Sequence, residues 1–491
     1  MATVVQERLV EMEAGDVVGA QRAPVGAEKT FRSYDPDQVL LMSPVLSEWI
    51  PEGDLAHFVS DLVDGSLDLS AVYASYESES GYPPYDPRLM LKLLIYGYAN
   101  GVCSSRRLEQ ATYRDVAIRM LCAGQHPDYR SIARFRARHL EALAELFVQA
   151  LRLCAEAGLV RLGRLALDGT KLRANASRHK AMSYERMTKK ESELEAEIAE
   201  LRARARALLE EAAATDAAED ERFGLDSRGD ELPQELQRRE SRLARLREAK
   251  AALEAEARER EERRREEMGA EGRTPRTPRS GRDSFAPKPT DQRNFTDPDS
   301  KIMKASDGAF HQSYNGQAVV DSEAQVIVAA GLSNRAPDCP ALEDALEQLE
   351  ENLAAIGAEL PEDAALSADA GYFSEENVTT IAAHGLDPHI ATGRQKHSDL
   401  TPISPRGRIP KDATPRQRMA RKLKTKKGRA VYARRKVIVE PVFGQLQTVQ
   451  DAKRLLIRGE EAARAQWRFH CTVHNLLKLH RAGGLSLIAA G

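Results

Sequence analysis

The chain has 491 residues, five cysteines without a Cys-X-X-Cys pair, and a formal net charge of −3. That length is too great for one hydrophobic core and predicts two or three domains. The scattered cysteines argue against a disulfide framework or a zinc knuckle and fit a reducing cytoplasm. No apolar run approaches the roughly 20 residues of a membrane span, so we expect a soluble, unexported, cytoplasmic protein.

The N-terminal third is predicted to be helical. Residues 1–34 lack hydrophobic periodicity and are expected to form a flexible lead. Between residues 35 and 158, helical patterns end at Gly101, Gly124 and Gly158, which predicts a helical domain. Its interleaved cations and aromatic residues fit either DNA backbone contact through a helix-turn-helix-like unit or a solvated helix face. They are Arg106, Arg107, Arg114, Arg119, Arg130, Arg134, Arg136 and Arg138, among Tyr113, Tyr129 and Phe135.

Five apolar runs after residue 158 predict the strands of a sheet. They cover residues 164–167, 316–320, 325–330, 366–368 and 388–391, and helices are predicted over 339–357 and 374–384. A four-residue connection between the second and third runs predicts a hairpin, whereas the later strand-helix-strand spacing favours parallel crossovers. The expected fold class is therefore α/β, with a mixed sheet that has an antiparallel edge.

Residues 185–284 interrupt this strand pattern. Apolar residues recur at alternating spacings of three and four in two runs, which are separated by "DSRGD" and Pro233. The sequence predicts an inserted antiparallel helical hairpin, followed by a basic linker, "RTPRTPRSGR" (273–282), that is expected to be disordered. The seam residues include Leu194, Ile198, Leu201, Leu243, Leu246 and Leu253, and Arg239 and Lys250 interrupt the seam.

Two lone carboxylates stand at predicted strand ends, Asp168 in "RLALDGTKLR" and Asp369 in "LSADAGYFS". Ligands of open α/β sheets gather beyond the carboxyl ends of the strands, so these acids can converge on a shared divalent cation. Taken alone, Asp168 is better explained by an Asx-turn. A third acid, Glu440, lies in the apolar helical pattern of "VIVEPVFGQ" and, taken alone, is better explained by an ion pair with Lys436.

Four motifs occur in a fixed order along the chain: Asp168 in "LDGTKLRANAS", "NFTDPDSKIM" with "QSYNGQ", Asp369 in "DAGYFS", and Glu440 in "VEPVFGQ". Together they resemble the DDE transposases of bacterial insertion sequences, most closely the IS1182-like group, which is related to IS4 and IS5. The resemblance runs from about residue 35 to 480. It implies an RNase H-like catalytic domain over 159–184 and 285–480, a DNA-binding helical domain over 35–158, and a C-terminal tail over 481–491.

The resemblance further implies a metal-dependent enzyme. Asp168, Asp369 and Glu440 would bind two divalent ions, normally Mg²⁺ with Mn²⁺ as a substitute, that activate a water or a DNA 3′-hydroxyl for in-line displacement at phosphorus. Nearby cations would hold the phosphodiester chain, and residues 406–436 contain fourteen Lys or Arg and one acid. The residues assigned to DNA are Lys171, Arg173, Lys424, Lys426, Lys427, Arg429, Tyr432, Lys436 and Gln447.

The resemblance also implies the partners of the chain. We expect it to bind double-stranded DNA, both terminal inverted repeats and target DNA, and to form a homodimer or a higher oligomer on that DNA. A nucleoid-associated location follows, and no membrane partner is expected. The inserted hairpin is a candidate for pairing two copies, with a tolerated surface insertion as the alternative.

The region around Glu440 departs from the family pattern. Related transposases carry a Lys seven residues after the Glu, where this chain has Gln447. Pro441 predicts a helix start directly after Glu440, which would place Tyr432 and Lys436 off its face. The altered Gln447 favours one alternative function, a DNA-binding protein that has lost transposition. A separate alternative is an RNase H-like nuclease that cuts without joining.

Two further groups invite a metal interpretation. His470, Cys471 and His474 have helical spacing, but no second ligand pair is visible, so a packed C-terminal helix is expected rather than a zinc site. Asp297 and Asp299 in "NFTDPDSKIM" are interpreted as a turn in a loop near the active site.

Overall fold

The computed structural model describes residues 45–76, 84–177, 180–219, 232–270, 283–305, 308–393 and 407–489. The predicted flexible lead, 1–34, and the predicted disordered linker, 273–282, lie outside the described residues. Within the described ranges, none of the helices combines the length and the apolar character that crossing a membrane requires.

The N-terminal helices end where the glycines predict. Gly101, Gly124 and Gly158 have φ angles of 70°, 71° and 71°, and glycine adopts this left-handed conformation without strain. They follow α3, α5 and α7, respectively. The helices are α1 (Leu55–Gly65), α2 (Ser70–Ala74), α3 (Pro87–Ala99), α4 (Ser105–Arg114), α5 (Val116–Leu121), α6 (Tyr129–Arg138) and α7 (Leu140–Glu156).

Two helical patterns that the sequence presents as continuous are each divided in two. Asp115 has an extended backbone between α4 and α5, and its carboxylate accepts from the Ile118 N–H at 3.0 Å. It therefore ends one helix and caps the next. His139 has a non-helical backbone and separates α6 from α7.

One cation of this region, Arg136, has a structural role. Arg136 is only 7% exposed and donates to Tyr98 Oη at 3.1 Å, to Cys103 O at 2.7 Å and to Ser105 Oγ. Its interpretation as a surface cation, whether for DNA or for solvent, is therefore wrong. The guanidinium satisfies buried acceptors of the neighbouring helix and loop instead.

The described strands form a mixed sheet and a separate ribbon. In the sheet the order is β4-β5-β1-β7-β8, with β6 also paired to β5. β5 is antiparallel to β1, β4 and β6, whereas β7 is parallel to both β1 and β8. The predicted hairpin, now β5–β6, and the predicted mixed sheet are confirmed. The strands are β1 (Arg164–Arg173), β2 (Ala181–Ser183), β3 (Gln292–Asn294), β4 (Lys301–Lys304), β5 (Phe310–Asp321), β6 (Ile327–Ser333), β7 (Ala365–Ala368) and β8 (Asp387–Ile390).

The first strand is longer than predicted. The sequence predicts that β1 ends before Asp168, but the strand continues to Arg173 because β5 pairs with it as far as Arg173↔Ser313. Only its parallel partner β7 stops early, at Leu167↔Ala368. The Asx-turn interpretation of Asp168 is therefore wrong, since the long antiparallel neighbour overrides the local Asp-Gly turn signal.

Two long helices follow the short strand β2. α8 (Tyr184–Glu219) and α9 (Leu232–Ala270) contact each other through a small hydrophobic cluster of their own. Arg239 and Lys250 do not enter that cluster, and they pair with Glu197 and Glu191 at 2.9 and 2.7 Å. The buried cluster contains Met187, Leu194, Ile198, Leu243, Leu246, Ala249 and Leu253.

Most of the remaining helices share one hydrophobic core with the sheet and the N-terminal helices. The core is continuous because α15, most of whose residues are buried, packs against both α7 and β6. The helices are α10 (Ala341–Ile356), α11 (Glu375–Ala383), α12 (Pro415–Lys424), α13 (Lys426–Ala433), α14 (Arg435–Thr448), α15 (Glu460–Ala482) and α16 (Ser486–Ala489).

The predicted helix start at Pro441 is wrong, because α14 begins at Arg435 and runs through Pro441. A proline inside a helix leaves the carbonyl four residues earlier without its N–H donor. Here that carbonyl belongs to Val437, and Gln325 Nε2 donates to it at 2.9 Å. A side chain from the β5–β6 turn thus replaces the missing backbone bond, and Lys436 and Glu440 lie on one continuous helix.

The two groups with a metal interpretation are structural. His470, Cys471 and His474 are buried in α15, as a packed helix requires, and His474 Nε2 bonds to Gln325 O at 3.0 Å. Asp297 and Asp299 form the predicted turn and hold the N-terminus of α15. The Asp297 carboxylate accepts from the Tyr314 hydroxyl at 2.8 Å and the Gly459 N–H at 3.2 Å, and Asp299 accepts from the Glu460 N–H at 3.0 Å.

Candidate active site

Strand register places Asp168 and Asp369 side by side. The last parallel pair of β1 and β7 is Leu167↔Ala368, and an aspartate follows in each strand. Asp168 remains within β1, whereas Asp369 leaves β7 and its carboxylate accepts from the Gly371 N–H at 2.8 Å. The parallel pairing therefore brings two of the three predicted acids together.

A guanidinium contacts one acid of this pair. Arg435 Nη1, at the start of α14, lies 2.8 Å from Asp168 Oδ2, and the two side chains are 11% and 24% exposed. Burial raises the pKa of the Asp168 carboxyl, Arg435 acts in the opposite direction, and the charge of Asp369 raises the pKa further. Arg435 also acts on Tyr432, where burial raises the pKa of the phenol and the guanidinium lowers it. The cation thus compensates two acids that would otherwise repel.

Sequence reasoning missed Arg435. It is one of three consecutive cations, Arg434 to Lys436, and spacing from Glu440 favoured Lys436. The lone Asp168 called for a cationic partner, but nothing local singled out Arg435, which lies 267 residues away. The start of α14 at Arg435 directs this side chain, rather than the exposed Lys436, to the acid.

A third aspartate near the pair, Asp338, was also missed. A Cβ atom at Gly371 would lie 3.0 Å from Asp369 Oδ1 and 3.4 Å from Asp338 Oδ2, so both carboxylates face this glycine. Asp338 Oδ1 accepts from Lys171 Nζ at 2.9 Å and from Asn315 Nδ2 at 2.8 Å. Lys171, one of the predicted DNA ligands, is therefore held by an acid. The available signal was the position of Asp338 in the loop that follows β6.

A buried polar network underlies these acids. Gln317 on β5 donates to Asp338 Oδ1 at 3.2 Å and accepts from the Tyr372 hydroxyl. Burial raises the pKa of Tyr372, and the surrounding aspartates raise it further, so its hydroxyl stays protonated and donates. Gly169 is required here, because a Cβ at that position would lie 2.5 Å from Gln317 Nε2. The network fixes the floor of the site from two strands and the turn after β7.

The third predicted acid, Glu440, lies on α14, the helix that packs along β1. Gln447 Nε2 donates to Thr170 Oγ1 on β1 at 2.7 Å, so this side chain is directed at the site. Glu440 lies seven residues earlier and therefore on the same helix face. It is exposed, and within the described chain it forms no ion pair with Lys436 or any other residue. The ion-pair explanation of Glu440 is therefore wrong, and its carboxylate remains accessible.

The other residues assigned to DNA lie around this helix and on β1. Lys424, Lys426 and Lys427 are exposed at the junction of α12 and α13, and Arg429 is half-buried in α13. Lys436 is exposed at the first turn of α14. Arg173 is exposed at the end of β1, and its backbone accepts from the Leu455 N–H at 2.8 Å. The exposed lysines therefore lie on three consecutive helices, the last of which carries Arg435 to Asp168.

The donor set of the site suits a hard divalent cation. Carboxylate oxygens are the preferred ligands of Mg²⁺, and the guanidinium on Asp168 shows that this position accommodates positive charge. Among the described residues, no three His, Cys, Asp or Glu side chains are arranged to hold a metal ion. Asp168 and Asp369 therefore fit as two ligands, while Glu440 does not join them in this conformation.

Two family models match the chain, one on each side of β1. A model described as Transposase domain (DUF772) matches residues 44–138, and a model described as Transposase DDE domain matches residues 249–476. The second match includes Asp369 and Glu440. No curated protein and no solved structure matches the chain significantly. The two models in this order are the signature of the IS1182-like insertion-sequence transposases, and the chain belongs to the DDE transposases.

Proposed function

We propose that the chain binds the ends of a bacterial insertion sequence and catalyses metal-dependent DNA strand cleavage and strand transfer. The observation that carries the proposal is the juxtaposition of Asp168 and Asp369 at the end of the β1–β7 ladder, with Arg435 on Asp168. Two adjacent carboxylates repel each other, and this repulsion destabilises the fold unless a positive charge lies close to them. A site that binds and releases cations provides that charge.

Asp168 and Asp369 would hold Mg²⁺, or Mn²⁺ in its place, and Glu440 is the accessible acid on α14 that would complete the set. When bound, a pair of such ions supplies Lewis-acid stabilisation of in-line displacement at phosphorus. Arg435, which contacts Asp168, would then be available to bind a phosphate through two parallel hydrogen bonds. Gln447 keeps α14 against β1 through Thr170.

The exposed cations support the assignment of DNA as the substrate. Lys424, Lys426, Lys427 and Lys436 lie on consecutive helices that lead to the acids, and phosphate contacts from such side chains position DNA without reading its sequence. We assign recognition of the terminal inverted repeats to the helical domain over residues 35–158. Nucleoid association follows from DNA binding.

The sheet supports an RNase H-like catalytic domain over residues 159–184 and 285–480. Its strand order β6-β5-β1-β7-β8 combines an antiparallel β6-β5-β1 unit with a parallel β1-β7-β8 unit. We assign α8 and α9 to a helical hairpin inserted within residues 185–284. Its apolar cluster is narrow, so we propose that a second copy adds to it when two chains pair two DNA ends in a homodimer or higher oligomer. Sedimentation of the complex with paired ends, which should contain two or more chains, tests this assembly.

Substitution of the acids tests the catalytic proposal. Asp168→Asn, Asp369→Asn and Glu440→Gln should each reduce cleavage of element ends by more than about 100-fold, since even the hydrogen-bond partners of metal ligands contribute about 10- to 100-fold. End binding should persist, because other residues contact the DNA. Asp363→Asn is a matched control, since Asp363 is exposed before β7, six residues from Asp369.

The outcomes separate the three candidate functions. Undiminished cleavage by a variant removes that residue from the site. Cut 3′-ends that are never joined to target DNA indicate a nuclease, and a parental chain that binds ends without cutting them in Mg²⁺ or Mn²⁺ is a DNA-binding derivative.

A further inference from the structure

A strongly basic cleft lies where the α8–α9 helix pair meets the β2–β3 ribbon, and nothing in the proposed active site uses it. Its volume is about 790 Å³, and its apolar lining residues are Ala181, Met182, Leu246 and Phe295. Five cations line it, Lys180, Arg186, Arg238, Arg242 and Arg245, and all of its lining residues, which belong to the described chain, lack a carboxylate. Like charges concentrated on one concave surface attract a polyanion.

These five cations differ from the ion-paired basic residues of α8 and α9. Arg247 is ion-paired with Glu191 at 3.2 Å and also with Glu195, and Lys250 is paired with Glu191 at 2.7 Å. Toward the end of α9, Arg263 pairs with Glu259. In the part of the chain that the structure describes, no cleft cation forms a side-chain hydrogen bond or ion pair. The cations that face acids are therefore neutralised by ion pairs within the protein, whereas the cleft cations have no such partner among the described residues.

The geometry of the cleft suits a nucleic acid backbone. Arg238, Arg242 and Arg245 are spaced four and three residues apart, so they form one stripe on α9 that spans roughly 10.5 Å along the helix axis. One strand of B-DNA presents about three phosphates over that length. Four of the five cations are arginines, whose planar guanidinium matches a phosphate through two hydrogen bonds.

We propose that this cleft is a second DNA contact of the transposase, in which the phosphodiester backbone of a duplex lies along the arginine stripe of α9. The inference rests on the proposed DNA-binding function and extends it to a surface outside the catalytic domain. The contact reads no bases, since its polar groups face the cleft as charges on long side chains rather than as a fixed pattern of donors and acceptors. It increases affinity and orients the helix pair on DNA.

A triple variant of the full-length chain tests the proposal. Arg238→Gln, Arg242→Gln and Arg245→Gln are combined and compared with Arg204→Gln, Arg206→Gln and Arg258→Gln, a control of equal charge change. The control arginines are exposed on the same two helices, lie outside the cleft and make no described contact. Binding to a duplex that carries the element end and to a random duplex of equal length is measured by fluorescence anisotropy over a range of salt concentrations. Circular dichroism checks that both variants fold.

The cleft variant should bind both duplexes about 10-fold or more weakly, and its log-log salt slope should flatten by up to about 0.9 per lost phosphate contact. The control should bind like the parental chain. Equal affinities and slopes for the cleft variant and the parental chain overturn the proposal, as does an equal loss in the control. A cleft variant that binds DNA normally but changes its sedimentation shows that a second copy occupies the cleft, which also overturns it. A parental chain that binds neither duplex refutes the proposed function itself, a result distinct from the others.

Discussion

The ion pair between Arg435 and Asp168 allows a quantitative prediction. Arg435→Gln removes the guanidinium that lies 2.8 Å from Asp168 Oδ2 and leaves that carboxylate beside Asp369. Removing one partner of a fully buried pair costs about 3–5 kcal/mol. Because Asp168 is 24% exposed and water can replace part of the lost interaction, we expect the free energy of unfolding to fall by about 1–3 kcal/mol at neutral pH.

The pH dependence of this loss has a defined sign. Burial and Asp369 raise the pKa of Asp168, and Arg435 opposes that rise, so the pKa should increase further in Arg435→Gln. A carboxyl whose pKa is raised on folding stabilises the fold at pH values below its unfolded pKa, and that stabilisation is lost as the pH rises through the folded pKa. The defect should therefore be largest at neutral pH and shrink as the pH falls toward the ordinary value of 3.8.

The assay is urea denaturation at neutral and acidic pH, with Arg434→Gln as the matched control. Arg434 is the adjacent arginine, is exposed and forms no described side-chain contact. Mg²⁺ should recover more stability in Arg435→Gln than in the parental chain, because it no longer competes with a guanidinium. The gain is about 2.7 kcal/mol at a Mg²⁺ concentration 100 times its Kd. Equal unfolding free energies for the two variants at neutral pH, or a difference that grows on acidification, would refute the reasoning.

Three further predictions follow from other parts of the chain. Replacing the exposed lysines of α12 and α13 by Gln should weaken binding to all duplexes alike. It should also flatten the log-log salt dependence of binding by up to about 0.9 per lost phosphate contact. An effect confined to element ends would show that these lysines read bases. The exposed lysines to be replaced are Lys424, Lys426 and Lys427. Burial lowers the pKa of His470 to about 3, so the stability that the neutral ring contributes above pH 6.5 is lost as the pH falls toward 3. His470→Leu should lessen the fall in unfolding free energy between pH 6.5 and 5 by up to about 2 kcal/mol in urea titrations, and an unchanged pH profile would contradict this. Gly169→Ala places a Cβ 2.5 Å from Gln317 Nε2 and should cost about 1–3 kcal/mol and reduce cleavage, whereas Gly163→Ala, with no atom within 4 Å, should be neutral in both assays.

Local signals in the sequence were sufficient for the elements whose causes are local. Gly101, Gly124 and Gly158 end helices because each adopts a left-handed conformation that depends on its own backbone. The hairpin β5–β6 and the parallel strands β7 and β8 follow from short apolar runs and the lengths between them. The proximity of Asp168 and Asp369 could also be predicted, because both acids follow apolar runs that become neighbouring strands.

Features decided by distant contacts could not be predicted. The Asp-Gly turn signal at Asp168 has no effect because β5, more than 140 residues later in the chain, pairs along the whole of β1. α14 continues through Pro441 because Gln325 donates to the carbonyl that the proline leaves unpaired. Each local preference contributes a few kcal/mol at most to the free energy of folding. It is outweighed when a neighbouring strand pairs along the segment or when a side chain donates to the unpaired carbonyl.

The sequence by itself determined the acids and the cations of this transposase, and the tertiary structure decided which of them meet. Asp168 and Asp369 could be named from their strands, but the choice of Arg435 among fourteen cations and the presence of Asp338 depend on where α14 and the loop after β6 pack. An ion pair between residues 267 positions apart leaves no periodic trace in the chain. Its partners are fixed only when the sheet and helices have assembled, because charge interactions act over a few ångströms in space and not along the sequence.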